Sequence, residues 1–122
     1  MNSTGKSVMV IFLYGTLFTS CSHEVIVPDS PVISFSYDIQ GIIIGNCTQS
    51  GCHSSSGQSE FPLVTYQDVM KIVEHGNAKK SRLYESIKGI SSKLMPPSSI
   101  PPLNNDQIKY IYLWIEQGAK NN

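Results

Sequence analysis

Charge is scarce in this chain. Only 15% of its 122 residues are charged, nine basic against nine acidic, for a net charge of zero. A balance this even excludes a nucleic-acid binder that works through phosphate contacts. Long apolar runs are also missing. The longest, Val8–Phe18, is too short to cross a bilayer comfortably. No internal repeat appears, and no strand-rich segment; Val25-Ile26-Val27 could pair as a short strand, but nothing demands it. Cysteine is limited to three residues, which allows at most one disulfide. A chain of this size rich in Gly, Pro and Ser has a modest apolar core, and would be loose unless something else filled it.

The N-terminus carries an export pattern. Met1–Ser7 is polar with Lys6 as its only charge, the apolar run follows, and then Leu17-Phe18-Thr19-Ser20-Cys21. Small residues before a Cys resemble a bacterial lipoprotein signal peptide, cut before Cys21, whose thiol then carries diacylglycerol. Phe18 stands where Leu is usual, and ordinary secretory cleavage is the alternative. The chain then divides into a signal peptide over 1–20, a tether with Pro28 and Pro31 over 21–34, and one domain over 35–122. Either cleavage exports the domain. The lipid would hold it on a bacterial membrane, on the periplasmic or cell-surface side.

The domain reads as mainly α. Ser36 is a good N-cap with Asp38 in the first turn, and Ile39, Ile42 and Ile43 form one apolar stripe. Gly41 and Gly45, four apart, would let another helix approach, or Gly45 simply ends the helix. Thr65 with Asp68 predicts a capped helix over Tyr66–His75, stopped by Gly76. Ser81 predicts a cap for a short helix to Lys88, with Leu83, Tyr84 and Ile87 inward and Gly89 as stop. Four prolines over 91–103 make an extended loop. Asn104 or Asn105 then caps Asp106–Gln117, whose main stripe is Ile108, Ile111, Tyr112 and Ile115, flanked by Tyr110 and Trp114.

Cys47, Cys52 and His53 carry the chemistry. Cys-x4-Cys-His is a spaced variant of the c-type haem attachment motif. Two thiols add across the two vinyl groups of a haem, and the adjacent imidazole ligates iron. The usual gap is two residues, so Thr48–Gly51 must loop out, and Ser50-Gly51 suits a tight bulge. A Cys47–Cys52 disulfide in a haem-free exported binding module is the competing account. If a haem is present, Met95 is the candidate sixth ligand, held on the Pro96-Pro97 rail. Met70 reads as core filler, His23 as a solvated tether residue, and His75 as a helix-end imidazole or, less simply, a second axial ligand. The stretch from Lys71 to Lys93 is basic and reads as a solvated face or as a docking patch for a redox partner.

Taken in order, these features resemble small class I c-type cytochrome domains. More closely, they resemble bacterial lipoprotein cytochromes with a Ser-Phe-x-x-Asp-Ile lead-in, a Cys-x4-Cys-His site, Met-Pro-Pro and Trp-Ile-x-x-Gly-Ala. The matching residues are Ser34-Phe35, Asp38-Ile39, Cys47, Cys52, His53, Met95-Pro96-Pro97, Trp114-Ile115 and Gly118-Ala119. The resemblance implies three to five short helices around one covalent haem c, with a proline-rich distal loop. It implies thioethers at Cys47 and Cys52, His53 as proximal ligand and Met95 as distal ligand. First and last helices would cross, with Gly41 or Gly45 against Tyr112 or Trp114. Pro62 or its neighbour would offer a carbonyl to the proximal imidazole. Arg82, with Ser81 or Tyr84, would meet a haem propionate or be simply solvated. The function implied is electron transfer to redox partner proteins, with no small-molecule substrate and no enzymatic turnover. A five-coordinate haem that binds a gas or peroxide is the alternative if Met95 does not ligate.

Overall fold

The computed structural model describes residues 31–56, 61–91 and 93–122. The expected signal peptide, Cys21, His23 and the tether up to residue 30 lie outside the described residues. Among those described there is no strand. The order is a π-helical turn Phe35–Ile39 that runs into α1 (Gln40–Cys47), then α2 (Tyr66–Met70), a 3-10 turn Ala78–Lys80, α3 (Arg82–Ile87) and α4 (Asn105–Glu116).

The first helical segment starts two residues earlier than its sequence suggests. Ser34 is the N-cap: its Oγ accepts from the Tyr37 N–H, and Asp38 Oδ2 accepts from the Ser34 N–H at 2.8 Å. Ser36 instead donates its hydroxyl to the Asn122 carbonyl at 2.8 Å. Gly45 does not end α1. The helix runs on to Cys47, where its last carbonyls find other partners. Thr48 Oγ1 donates to Ile44 O, Gln49 Nε2 to Gly45 O, and the His53 N–H to Cys47 O. Side chains just past the end therefore satisfy what the helix leaves open.

α2 has the expected capping box, Thr65 with Asp68. Hydrogen bonds from Lys71, then from Thr65, hold the Asp68 carboxyl well below the usual carboxylate range. The helix stops at Met70 rather than His75. Ile72 and Val73 make only tight bonds to residues three back, and the Glu74 N–H leaves the ladder for Ser81 Oγ at 2.8 Å. Ser81 is the corresponding surprise: its hydroxyl makes no cap bond for α3. It is buried and donates toward Asn77 O and Glu74 O, joining two turns of the chain. Gly89 (φ +66°) takes the left-handed conformation directly after α3, as a stop glycine does, whereas Gly76 (φ +68°) takes it in a turn beyond the end of α2 and stops no helix.

α4 is the spine. Asn104 caps it and Gln107 reciprocates. Its C-terminus closes as a Schellman motif, with the Gly118 N–H on Ile115 O and the Ala119 N–H on Trp114 O. Trp114 does not flank the stripe; it is fully buried and its Nε1 donates to Lys120 O. Phe35 lies 5.5 Å from its ring, and Tyr66 stands edge-on to both. The first helical segment meets α4 through the π-helical turn, not through glycines. Gly41 and Gly45 are exposed, and a Cβ on either would meet nothing within 4 Å. Packing also begins before residue 35. The Ile33 N–H donates to Gln117 Oε1, Gln117 Nε2 donates to Pro31 O, and Ile33 is buried.

Candidate functional site

The loop after α1 is built to bring Cys47 and His53 together. The His53 N–H donates to Cys47 O at 2.9 Å, closing the segment on itself. Inside that closure Gln49–Cys52 forms a β-turn, with the Cys52 N–H on Gln49 O and Gly51 at φ +82°. A turn with positive φ at its third residue favours glycine. The extra residues between the cysteines are thus taken up by one tight turn at Ser50-Gly51, where the spacing placed it.

His53 is half-buried and fixed from a second direction. Its Nδ1 lies 2.9 Å from Phe61 O. A carbonyl can only accept, so Nδ1 carries the proton and the neutral ring keeps its lone pair on Nε2. The Phe61 ring packs against the imidazole at 4.9 Å, and the Leu63 N–H donates to His53 O at 2.8 Å. Leu63 is buried, which anchors this return segment in the core. The carbonyl on His53 therefore belongs to Phe61, the neighbour of Pro62, and not to Pro62 itself. Pro62 acts through its neighbour: the residue before a proline is held extended, which turns its carbonyl outward from helical pairing. That steric rule was the available signal for Phe61.

Cys47 and Cys52 are half-buried free thiols, not a disulfide. Burial, and then the neighbouring Cys52, push the Cys47 thiol up to about 11. It therefore stays protonated at neutral pH. Among the described residues, no group of three or more His, Cys, Asp and Glu side chains could hold a bare metal ion. The two thiols and the imidazole are laid out along a loop, not gathered around one point.

Met95 is positioned by a different element. Its N–H donates to Ser86 O of α3 at 3.0 Å, its side chain is half-buried, and the buried Pro96 follows through a cis peptide bond. Met70 is half-buried against the core. His75 is exposed and its Nδ1 faces Gly118 O at 2.9 Å, so it serves the C-terminal end of α4. Arg82 is exposed at the start of α3 and borders a crevice with Lys71, Ile72, Val73, Glu74 and Lys80. No hydrogen bond or ion pair ties it to the Cys47–His53 loop among the described residues. Tyr84 and Tyr112 pair across α3 and α4 at 5.4 Å. Burial first, then the charge of Glu116 and the Tyr84 phenol, raise the Tyr112 phenol above its ordinary value.

No curated protein and no solved structure matches this chain. Residues 50–99 match a family model described as Planctomycete cytochrome C. The matched stretch runs from just before Cys52 and His53 to just after Met95-Pro96-Pro97 and leaves out Cys47, and it supports a cytochrome c-like domain in this chain.

Proposed function

We propose that this protein is a lipid-anchored carrier of single electrons with one covalent haem c. The observation that carries the reading is the His53 imidazole, held by Phe61 O at Nδ1 and so directing its lone pair to Nε2. Two free thiols stand in the same loop, one at the end of α1 and one directly before the histidine. This donor set suits a haem: Cys47 and Cys52 would hold it by thioethers, His53 would be the proximal ligand and Met95 the distal one. When bound, the group supplies one-electron chemistry at iron.

The protein's own residues do the rest. Phe61 O fixes the tautomer and plane of His53, and a hydrogen bond to the far nitrogen raises the basicity of the ligating one. Leu63 and the turn at Gly51 keep both cysteines and the histidine on one short arc. Ser86 O anchors the Met95 backbone, so the thioether starts from a fixed point. If His53 and Met95 both hold the group, they would leave no room for a substrate at it, which favours electron carriage over turnover. Cys21 would carry the lipid that holds the domain to a membrane, with redox proteins as partners. No described helix is long and apolar enough to cross a membrane.

Absorption spectra of the purified protein, oxidised and reduced, test the reading. The account expects sharp reduced α and β bands and a weak red sulfur-to-iron band in the oxidised form. A reduced spectrum that lacks those bands after expression in a haem-attaching host would refute it. Cys21→Ser should release the protein from membranes or block its processing; membrane retention unchanged by that substitution would refute the anchor.

A further inference from the structure

We infer that the crevice between Lys71–Glu74 and Lys80–Arg82 is a docking socket for a carboxylate on an acidic segment of a partner protein. It rests on the electron-carrier reading only for the statement that the partner is a redox protein.

The charge distribution comes first. From Lys71 to Lys93 six cations face two acids, Glu74 and Glu85, a surplus of four in a chain whose net charge is zero. All six cations are exposed. Among the described residues the single ion pair is Lys71 with Asp68, at 2.8 Å. Lys80 and Arg82 have no acidic side chain within ion-pair distance there.

The shape comes second. The crevice holds about 160 Å³ and is bordered by Lys71, Ile72, Val73, Glu74, Lys80 and Arg82. That is below the ~300–1,000 Å³ of pockets that enclose small-molecule ligands. It is room for one side chain bearing a carboxylate. With Lys71 engaged by Asp68, Lys80 and Arg82 outnumber Glu74 on its walls, so one carboxylate completes the balance.

The walls are also fixed in advance. The Glu74 N–H donates to Ser81 Oγ at 2.8 Å, and the Leu83 N–H donates to Ile72 O at 3.0 Å. Ser81 is buried, and its hydroxyl reaches Asn77 O at 2.9 Å. The two edges are therefore clamped at two points, and a partner need not order them on binding. A surface of this kind steers an acidic partner and sets its orientation more than it adds raw affinity.

The test titrates hexaglutamate into the full holoprotein at low salt and follows backbone amide shifts, with haem absorbance recorded for every variant. Saturable binding should centre on residues 71–74 and 80–82 and weaken as salt is added. The double variant K80Q/R82Q should lose about tenfold in affinity, while K109Q/K120Q, with the same change in net charge, should lose little. Equal loss in K88Q/K93Q would overturn the socket in favour of a diffuse field. So would absence of saturable binding, tighter binding of a single-stranded oligonucleotide, or displacement of the peptide by inorganic phosphate at equal concentration. A preparation that binds the peptide but lacks haem contradicts the electron-carrier reading and leaves the socket standing.

Discussion

Three glycines in one stretch should respond to alanine with opposite signs. Gly41 and Gly45 sit inside α1, and a Cβ on either would meet nothing within 4 Å. Their backbone is helical, so alanine removes the entropic cost of glycine and should stabilise by about 0.5–1 kcal/mol each. Gly51 also has open space around its Cβ position, but its φ is +82°. Alanine there is strained by the backbone alone, at about 1–2 kcal/mol. For a domain of this size, 1 kcal/mol moves Tm by roughly 4–8 °C. Thermal and urea unfolding of the three variants would check this, with wild type as reference. Gly41→Ala and Gly45→Ala should melt above wild type and Gly51→Ala below it. A loss of stability in Gly41→Ala or Gly45→Ala would mean that another element packs on that face, and would refute the placement of these glycines in solvent.

Trp114→Ala should cost about 3–5 kcal/mol, because it removes a fully buried ring that touches Phe35 and Tyr66; a loss under 1 kcal/mol in urea unfolding would contradict the packing. Met95→Ala should open the reduced protein to carbon monoxide. Met70→Ala should not, and should cost less than the ~2–5 kcal/mol of a fully buried methionine because Met70 is only half-buried; carbon monoxide binding in Met70→Ala and not in Met95→Ala would reverse the two roles. Tyr112 should ionise above the ordinary tyrosine range of about 10. Its folded value is raised, so its contribution to stability is complete below the unfolded pKa and is lost as pH rises through the folded one. Phenolate absorbance against pH, compared with Tyr112→Phe, would check this; loss of an early-titrating tyrosine in the variant would contradict it.

Local rules were legible and distant partners were not. The Thr65–Asp68 box, the Asn104 cap, the stop at Gly89 and the turn at Gly51 follow from side chains within four residues of one another, and all are present. The end of α2 depended on Ser81, seven residues beyond Glu74, and no local pattern announces that hydroxyl. The start of the first helical segment was misplaced by two residues because Ser34 and Ser36 are equivalent caps by composition. Asp38 reaching back to Ser34, and the Asn122 carbonyl taking the Ser36 hydroxyl, decide between them. Trp114 read as a flank because helical spacing puts it beside the isoleucine stripe; Phe35 and Tyr66, remote in sequence, cover it. The spacing of Gly41 and Gly45 suggested a close helix approach and the resemblance supplied its aromatic partners, but both glycines are open and Phe35 takes that place against Trp114. At the site, the triad Cys47, Cys52 and His53 was legible as a motif. The carbonyl on His53 was legible only to within a residue, as Pro62 or its neighbour, and the fold selects Phe61.

Intact mass of the denatured protein, expressed in a host able to attach haem, tests the central claim most directly. The account predicts the mature chain plus one haem that survives acid–organic extraction, reduced to a single thioether or lost when Cys47 or Cys52 is replaced by alanine. A colourless protein whose mass shows a Cys47–Cys52 disulfide and no haem would contradict it.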